Sequence, residues 1–379
     1  MATAASWRPA GPGAGSSCGG WTQVPTPQPP NGSELAAVAV PGAKDAWAVG
    51  LIDTADHNGY GLTYALAEHW DGSSWTIVPT QTAASSQTES TQFDAIAAIS
   101  GSDVWAIGQS HSVTGTDWIP LTEHYDGASW TVVPTPPVAG NESEFRGVSA
   151  AASDDVWAVG STYTNVEPFT RTLIEHWDGR TWSVVPGQNP GPRDDSLLGV
   201  LALSRTDVWA VGSQTDHNLV NTTLIEHWDG SAWSVVPSPN VPNTDDYVGS
   251  LAANGPDDIW AAGSFYGGEI KETGLFEHWD GSQWSIVDGP AGITDEYQIE
   301  ALAAIAPNRV FASGWRQDEH FSLAAKWNGS TWKLLPSASP SPQLNDLDGV
   351  ARIPGTTEVW AVGTEQIGET LQAMIERSC

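Results

Sequence analysis

Five Glu-His pairs, Glu68-His69, Glu123-His124, Glu175-His176, Glu226-His227 and Glu277-His278, are each followed by Trp or Tyr and an Asp-Gly. A carboxylate beside an imidazole is what general acid and base catalysis uses, and a second acid stands 20 to 24 residues before each histidine. A catalytic centre needs one asymmetric constellation, whereas this one recurs. The recurrence predicts structural pairs: Asp45 with His69, Asp103 with His124, Asp155 with His176, Asp207 with His227, and Asp258 with His278. In each, an enclosed acid and an enclosed imidazole would satisfy one another. A sixth copy loses both members together, as Arg309 and Lys326, and a seventh keeps an acid facing a base, as Glu358 and Arg377. The glutamate of each pair is expected to take backbone or hydroxyl donors from the next unit.

What must position these residues is a repeat. "DAWAVG" at 45–50 returns as "DVWAIG", "DVWAVG", "DVWAVG", "DIWAAG", "RVFASG" and "EVWAVG", seven copies spaced roughly fifty residues apart. A second phrase, "EHWDGSSW" and its variants, follows the first six copies, and the seventh breaks off at "ERSC". The missing piece lies at the other end, where "CGGWTQVPTP" matches "GSSWTIVPTQ". Each repeat splits into four short β-rich pieces between turn residues, so the chain is predicted to be all-β. The predicted fold is a seven-bladed β-propeller of four-stranded antiparallel blades, its last blade completed by the amino-terminal outer strand. Residues 1–17, rich in Ala, Gly, Pro and Ser, read as a disordered tail and 18–379 as one propeller domain. The same alignment brings Cys18 and Cys379 to one broken hairpin, and a disulfide between them would place the protein in an oxidising compartment, extracellular or at the cell surface.

Charge narrows the partners. With 14 basic and 45 acidic residues the formal charge is -31, which disfavours nucleic acid and anionic membrane surfaces. No apolar run is long enough for a spanning helix, and no h-region of a secretory signal stands at the amino terminus. HExxH, P-loop and dinucleotide fingerprints do not occur; "GSSCG" at 15–19 fits the nucleophile-elbow pattern without the strand and helix that pattern needs. No cofactor is expected. Acids in the blade-to-blade loops, Glu89, Glu142, Asp194, Asp195, Asp245, Asp246, Asp295, Glu296 and Asp346, are expected to be solvated turn residues, with calcium at a negative rim as the alternative.

Function should sit where the blades differ, on the long loops of the upper face. Their aromatics without counterparts in the repeat, Tyr60, Trp118, Tyr163, Phe265, Tyr266 and Trp315, together with Arg316, are the candidate ligand contacts. Aromatic faces amid Asp, Asn and Gln suit sugars, and they serve equally to cover blade edges.

The repeat "DVWAVG … LIEHWDGSAWSVVPSP" between Asp207 and Pro239 resembles that of exported bacterial β-propeller repeat proteins, over residues 18–379. It is more distantly similar to bacterial fucose-binding propeller lectins, a likeness that implies sugar pockets between blades. The expectation is a secreted, non-enzymatic module that binds a glycan or a protein surface. Two alternatives stand: a glycoside-active enzyme of sialidase or polysaccharide lyase type, and a surface protein that assembles with copies of itself. A sialidase needs clustered Arg, and the chain has ten in all.

Overall fold

The structure, a computed structural model, describes residues 20–53, 62–82, 89–112, 118–138, 142–317, 321–338, 341 and 343–378. Its strands form seven antiparallel sheets of four, spanning 33–77, 89–132, 142–184, 195–235, 245–286 and 297–334, and then 345–378 with 21–23. Each inner strand packs on the inner strands of both neighbouring blades, and the first packs on the last, so the sheets close a seven-bladed propeller. The seventh blade has its outer strand from the chain's beginning: Trp21–Gln23 pairs with Thr370–Ser378, Trp21 opposite Ser378. Cys18 and Cys379 lie outside the described residues, as do 1–17 and Tyr60.

The repeated phrases are packing instructions. The second-strand Trp of one blade stacks on the histidine of its own third strand and meets the third-strand and outer-strand aromatics of the next blade. Trp157 illustrates this, with ring centroids 4.3 Å from His176, 5.1 Å from Trp228 and 5.4 Å from Trp233, the last edge-to-face. The seam obeys the same rule, since Trp360 of blade seven meets Trp75 of blade one at 5.5 Å. The Asp-Gly of each hairpin is a turn: Asp178 Oδ1 accepts from the N–H groups of Arg180 and Thr181 while Gly179 takes a φ of 90°.

The glycine that ends "DVWAVG" shapes the middle of the ring. In every blade the inner strand carries a β-bulge opposite this glycine, between Leu35 and Ala37 in blade one and between Ile299 and Ala301 in blade six. The bulge pushes an inner-strand carbonyl against the glycine. A Cβ at Gly50 would stand 2.0 Å from the Glu34 oxygen, and one at Gly314 would stand 2.0 Å from that of Gln298. Only glycine admits the bulge, and the bulged residue is thereby turned into the central channel.

Candidate functional site

The five Asp–His pairs are hydrogen bonds between Asp Oδ1 and His Nε2, at 2.8 Å for Asp45, Asp103 and Asp207, 2.6 Å for Asp155 and 2.9 Å for Asp258. Each histidine is pinned between its acid and the Trp ring beneath it, far from any common cleft. Blade seven substitutes a Glu358–Arg377 pair, 2.9 Å from Nε, with the guanidinium over Trp360. Blade six has no acid at this place, and Lys326 takes the histidine's position over Phe311.

The glutamate beside each histidine faces the preceding blade, not the next. The loop after that blade's outer strand supplies its donors. Glu123 accepts from Gln81 N, Thr82 N and Thr82 Oγ1; Glu226 accepts from Gln188 N, and Glu376 from Ala338 N. Where Gln81 and Thr82 stand in blade one, blade two has Pro136 and Pro137, and blade four has Pro239 in place of Gln188. Proline has no N–H to give. Both oxygens of Glu175 and of Glu277 therefore have no partner among the described residues, in side chains with no exposed surface. Burial pushes each carboxyl up to about 8.

The bulged residues form a ring of equivalent positions whose chemistry is not repeated. Going round, the channel is faced by Ala36, Asp94, Arg146, Leu198, Gly249, Glu300 and Asp348. Above this neck opens a cavity of about 370 Å³ that Tyr247, Ser264 and Gln298 also line. Gln92 Nε2 donates to Asp94 Oδ1 at 2.7 Å, and burial raises Asp94 to about 6. Burial and the neighbouring Asp346 and Glu272 carry Glu300 up to about 7 against a hydrogen bond from Trp315. Asp348 is pushed far above its ordinary value by burial and by Glu300, Asp346 and Glu34. Arg146 stands across the channel, bound to Glu144 at 2.8 Å, and Glu144 also accepts from the Tyr163 hydroxyl at 2.5 Å.

The candidate contacts do not converge as a set. Trp315 hydrogen-bonds Glu300 and, with Arg316, Leu344 and Asp346, lines a second cavity of about 280 Å³ at the rim. Tyr266 is exposed and lies parallel to the cavity-lining Tyr247, centroids 5.8 Å apart. Tyr163 reaches the channel only through Glu144. Phe265 packs into the interface of blades four and five, and Trp118 lies against His111 in blade two. Two loop acids expected in solvent are fully buried: Asp195 accepts from Gly191 N and pairs with Arg171, and Asp246 accepts from Val241 N and Thr244 Oγ1. Among the described residues no three His, Cys, Asp or Glu side chains converge as metal ligands. The channel residues escaped the sequence reading, although aligning "LAAVAV", "FDAIAA", "FRGVSA" and "IEALAA" puts Ala36, Asp94, Arg146 and Glu300 in one column.

No family model matches this chain, and no curated protein does. Among solved structures it is similar to YCF48 bound to the D1 peptide, at 14% identity over 94% of each chain, with a TM-score of 0.57. A GH74 xyloglucanase from Xanthomonas campestris matches at 14% identity and a TM-score of 0.55, over 93% of this chain and 55% of the other. A Trypanosoma rangeli sialidase matches at 10% identity and a TM-score of 0.50, over 94% of this chain and 59% of the other. At such identities the likeness shows the fold alone.

Proposed function

We propose that this propeller is a non-enzymatic binding module that takes an organic ligand, a glycan or a segment of protein, over the upper mouth of its central channel. The observation that carries it is the break in the repeat: the structural pairs recur in most blades, whereas the seven positions of the channel ring hold six different residue types. A cavity with convergent polar groups and displaced carboxyl pKa values is where a ligand site is to be sought. Trp315 and Tyr266 supply aromatic surface beside it. Structural neighbours include a propeller bound to a peptide and two named for activity on sugars, which fits a general binding role.

Paired glycan and peptide arrays test the proposal. Hits are expected to weaken at least tenfold in Trp315→Ala and Tyr266→Ala, in proteins that melt as the parent does. Hits unchanged in both variants would remove the upper mouth from consideration. Turnover of a bound glycan, abolished by one acidic substitution in the channel, would replace the proposal with an enzyme.

The same proposal has the protein exported, with Cys18 joined to Cys379. Its support is the pairing of Trp21 with Ser378, which ends three residues from one cysteine and one from the other. Intact mass of the protein exported by its host is expected to fall two hydrogens short of the dithiol; two titratable thiols would exclude the bridge.

A further inference from the structure

Two of the three carboxyls of the channel ring stand side by side. Glu300 of blade six and Asp348 of blade seven are neighbours in the ring, with Glu34 of blade one above them, and each raises the others or is raised by Asp346. No positive group among the described residues offsets Asp348, Glu300 or Glu34. Arg146 serves Glu144 and Asp94 on the other side. Asp195, by contrast, is fully buried and has Arg171 beside it. Asp348 is half-buried, takes no hydrogen bond from any described residue, and is carried by its bulge into the wall of the cavity. Asp94 Oδ2, beside Arg146 across the cavity, is buried without a partner among the described residues. A buried carboxyl without a donor is costly, and a ligand that brings N–H groups and charge relieves that cost. These acids do not converge as metal ligands, so a larger cation with several donors suits their spacing better.

We propose that the channel cavity is a receptor for an organic cation, a primary ammonium or guanidinium group that enters from the upper face and lies against Asp348 and Glu300. This deepens the binding reading and rests on it. The formal charge of -31 attracts such ligands from a distance, and the cavity of about 370 Å³ has room for the end of a Lys or Arg side chain. The empty site holds protons on its acids, so binding the cation releases them. Affinity therefore rises from pH 6 to pH 8, as Asp94 and Glu300, at about 6 and about 7, give up their protons.

Calorimetry separates this from diffuse attraction. The probes are N-acetyl-Gly-Arg-Gly amide, the same peptide with citrulline in place of arginine, and spermidine. The arginine peptide is expected to bind at least tenfold more tightly than its neutral isostere, and to lose at least tenfold in Asp348→Asn and in Glu300→Gln. Asp178→Asn, on an exposed hairpin of the other face, is expected to change nothing. Ala36→Lys supplies a cation from the ring itself and is expected to abolish binding while raising the melting temperature, a readout that survives if a channel-acid variant fails to fold. Binding of spermidine without the arginine peptide would support the site and identify its ligand as a free polyamine. Equal binding of the citrulline peptide, or affinity unchanged in both acid variants, would overturn the proposal. Array hits that depend on Trp315, together with no binding of either cation, would overturn it and leave the binding module standing.

Discussion

Glu123 and Glu175 hold the same place in neighbouring blades and differ in what the loop beside them offers. Three donors reach the first, and none among the described residues reaches the second, because prolines stand where the amides would be. Unfolded, the Glu175 carboxyl ionises near 4.5; folded, burial moves it to about 8, and Glu277 behaves alike. The folded state thus retains protons that the unfolded state has lost. Stability is full below the lower value and declines as pH rises through the higher one. Each pKa unit is equivalent to about 1.4 kcal/mol, and relaxation around the charge reduces the realised effect. Glu175→Gln is expected to match the parent in unfolding free energy at pH 5 and to exceed it by on the order of 2 kcal/mol at pH 9. Urea titrations across that range check this, and parallel curves for the two proteins would show that the carboxyl titrates normally.

At the level of the strand, one motif glycine determines what its partner strand displays. Gly314→Ala drives a Cβ into the Gln298 carbonyl at 2.0 Å and requires the bulge that presents Glu300 to flatten. Overpacking of this kind costs about 1 to 3 kcal/mol, and ligand affinity at the channel is expected to fall with it. A crystal structure of the variant with the bulge intact would refute the coupling. This also explains which parts of the molecule were legible in the sequence. The second and third strands carry recurrent packing residues such as Trp157 and His176, so their phrases announce blade number, strand order and closure. The inner strand announces nothing, because its informative residue changes from Asp94 to Arg146 to Leu198, and only the bulge gives that position a direction. Loop acids misled for a related reason: Asp195 and Asp246 sit among turn residues in the chain, and folding turns them inward to bond the loop that precedes them.

For the whole ring, closure depends on a strand of three residues. Trp21 packs edge-to-face on Phe311 at 6.1 Å, Gln23 Nε2 donates to Glu365 at 2.8 Å, and Gln28 Nε2 donates to the Ala373 carbonyl at 2.9 Å. A chain that begins at residue 30 loses all three contacts, and the Thr26 hydroxyl that Glu68 accepts from. Loss of a buried Trp alone costs about 3 to 5 kcal/mol. Calorimetry is expected to show a lower, broader transition, restored when a peptide of residues 18–29 is added in trans; an unchanged melt would mean that blade seven is stable with three strands. The third strand of that blade descends from Thr370 to Ser378, so the chain enters at Trp21 and leaves at Ser378 on the rim opposite the cavity. Anything joined directly at Trp21 or Ser378 is therefore held at the base of the molecule, like the stem of a cup, with the bowl turned outward to whatever passes.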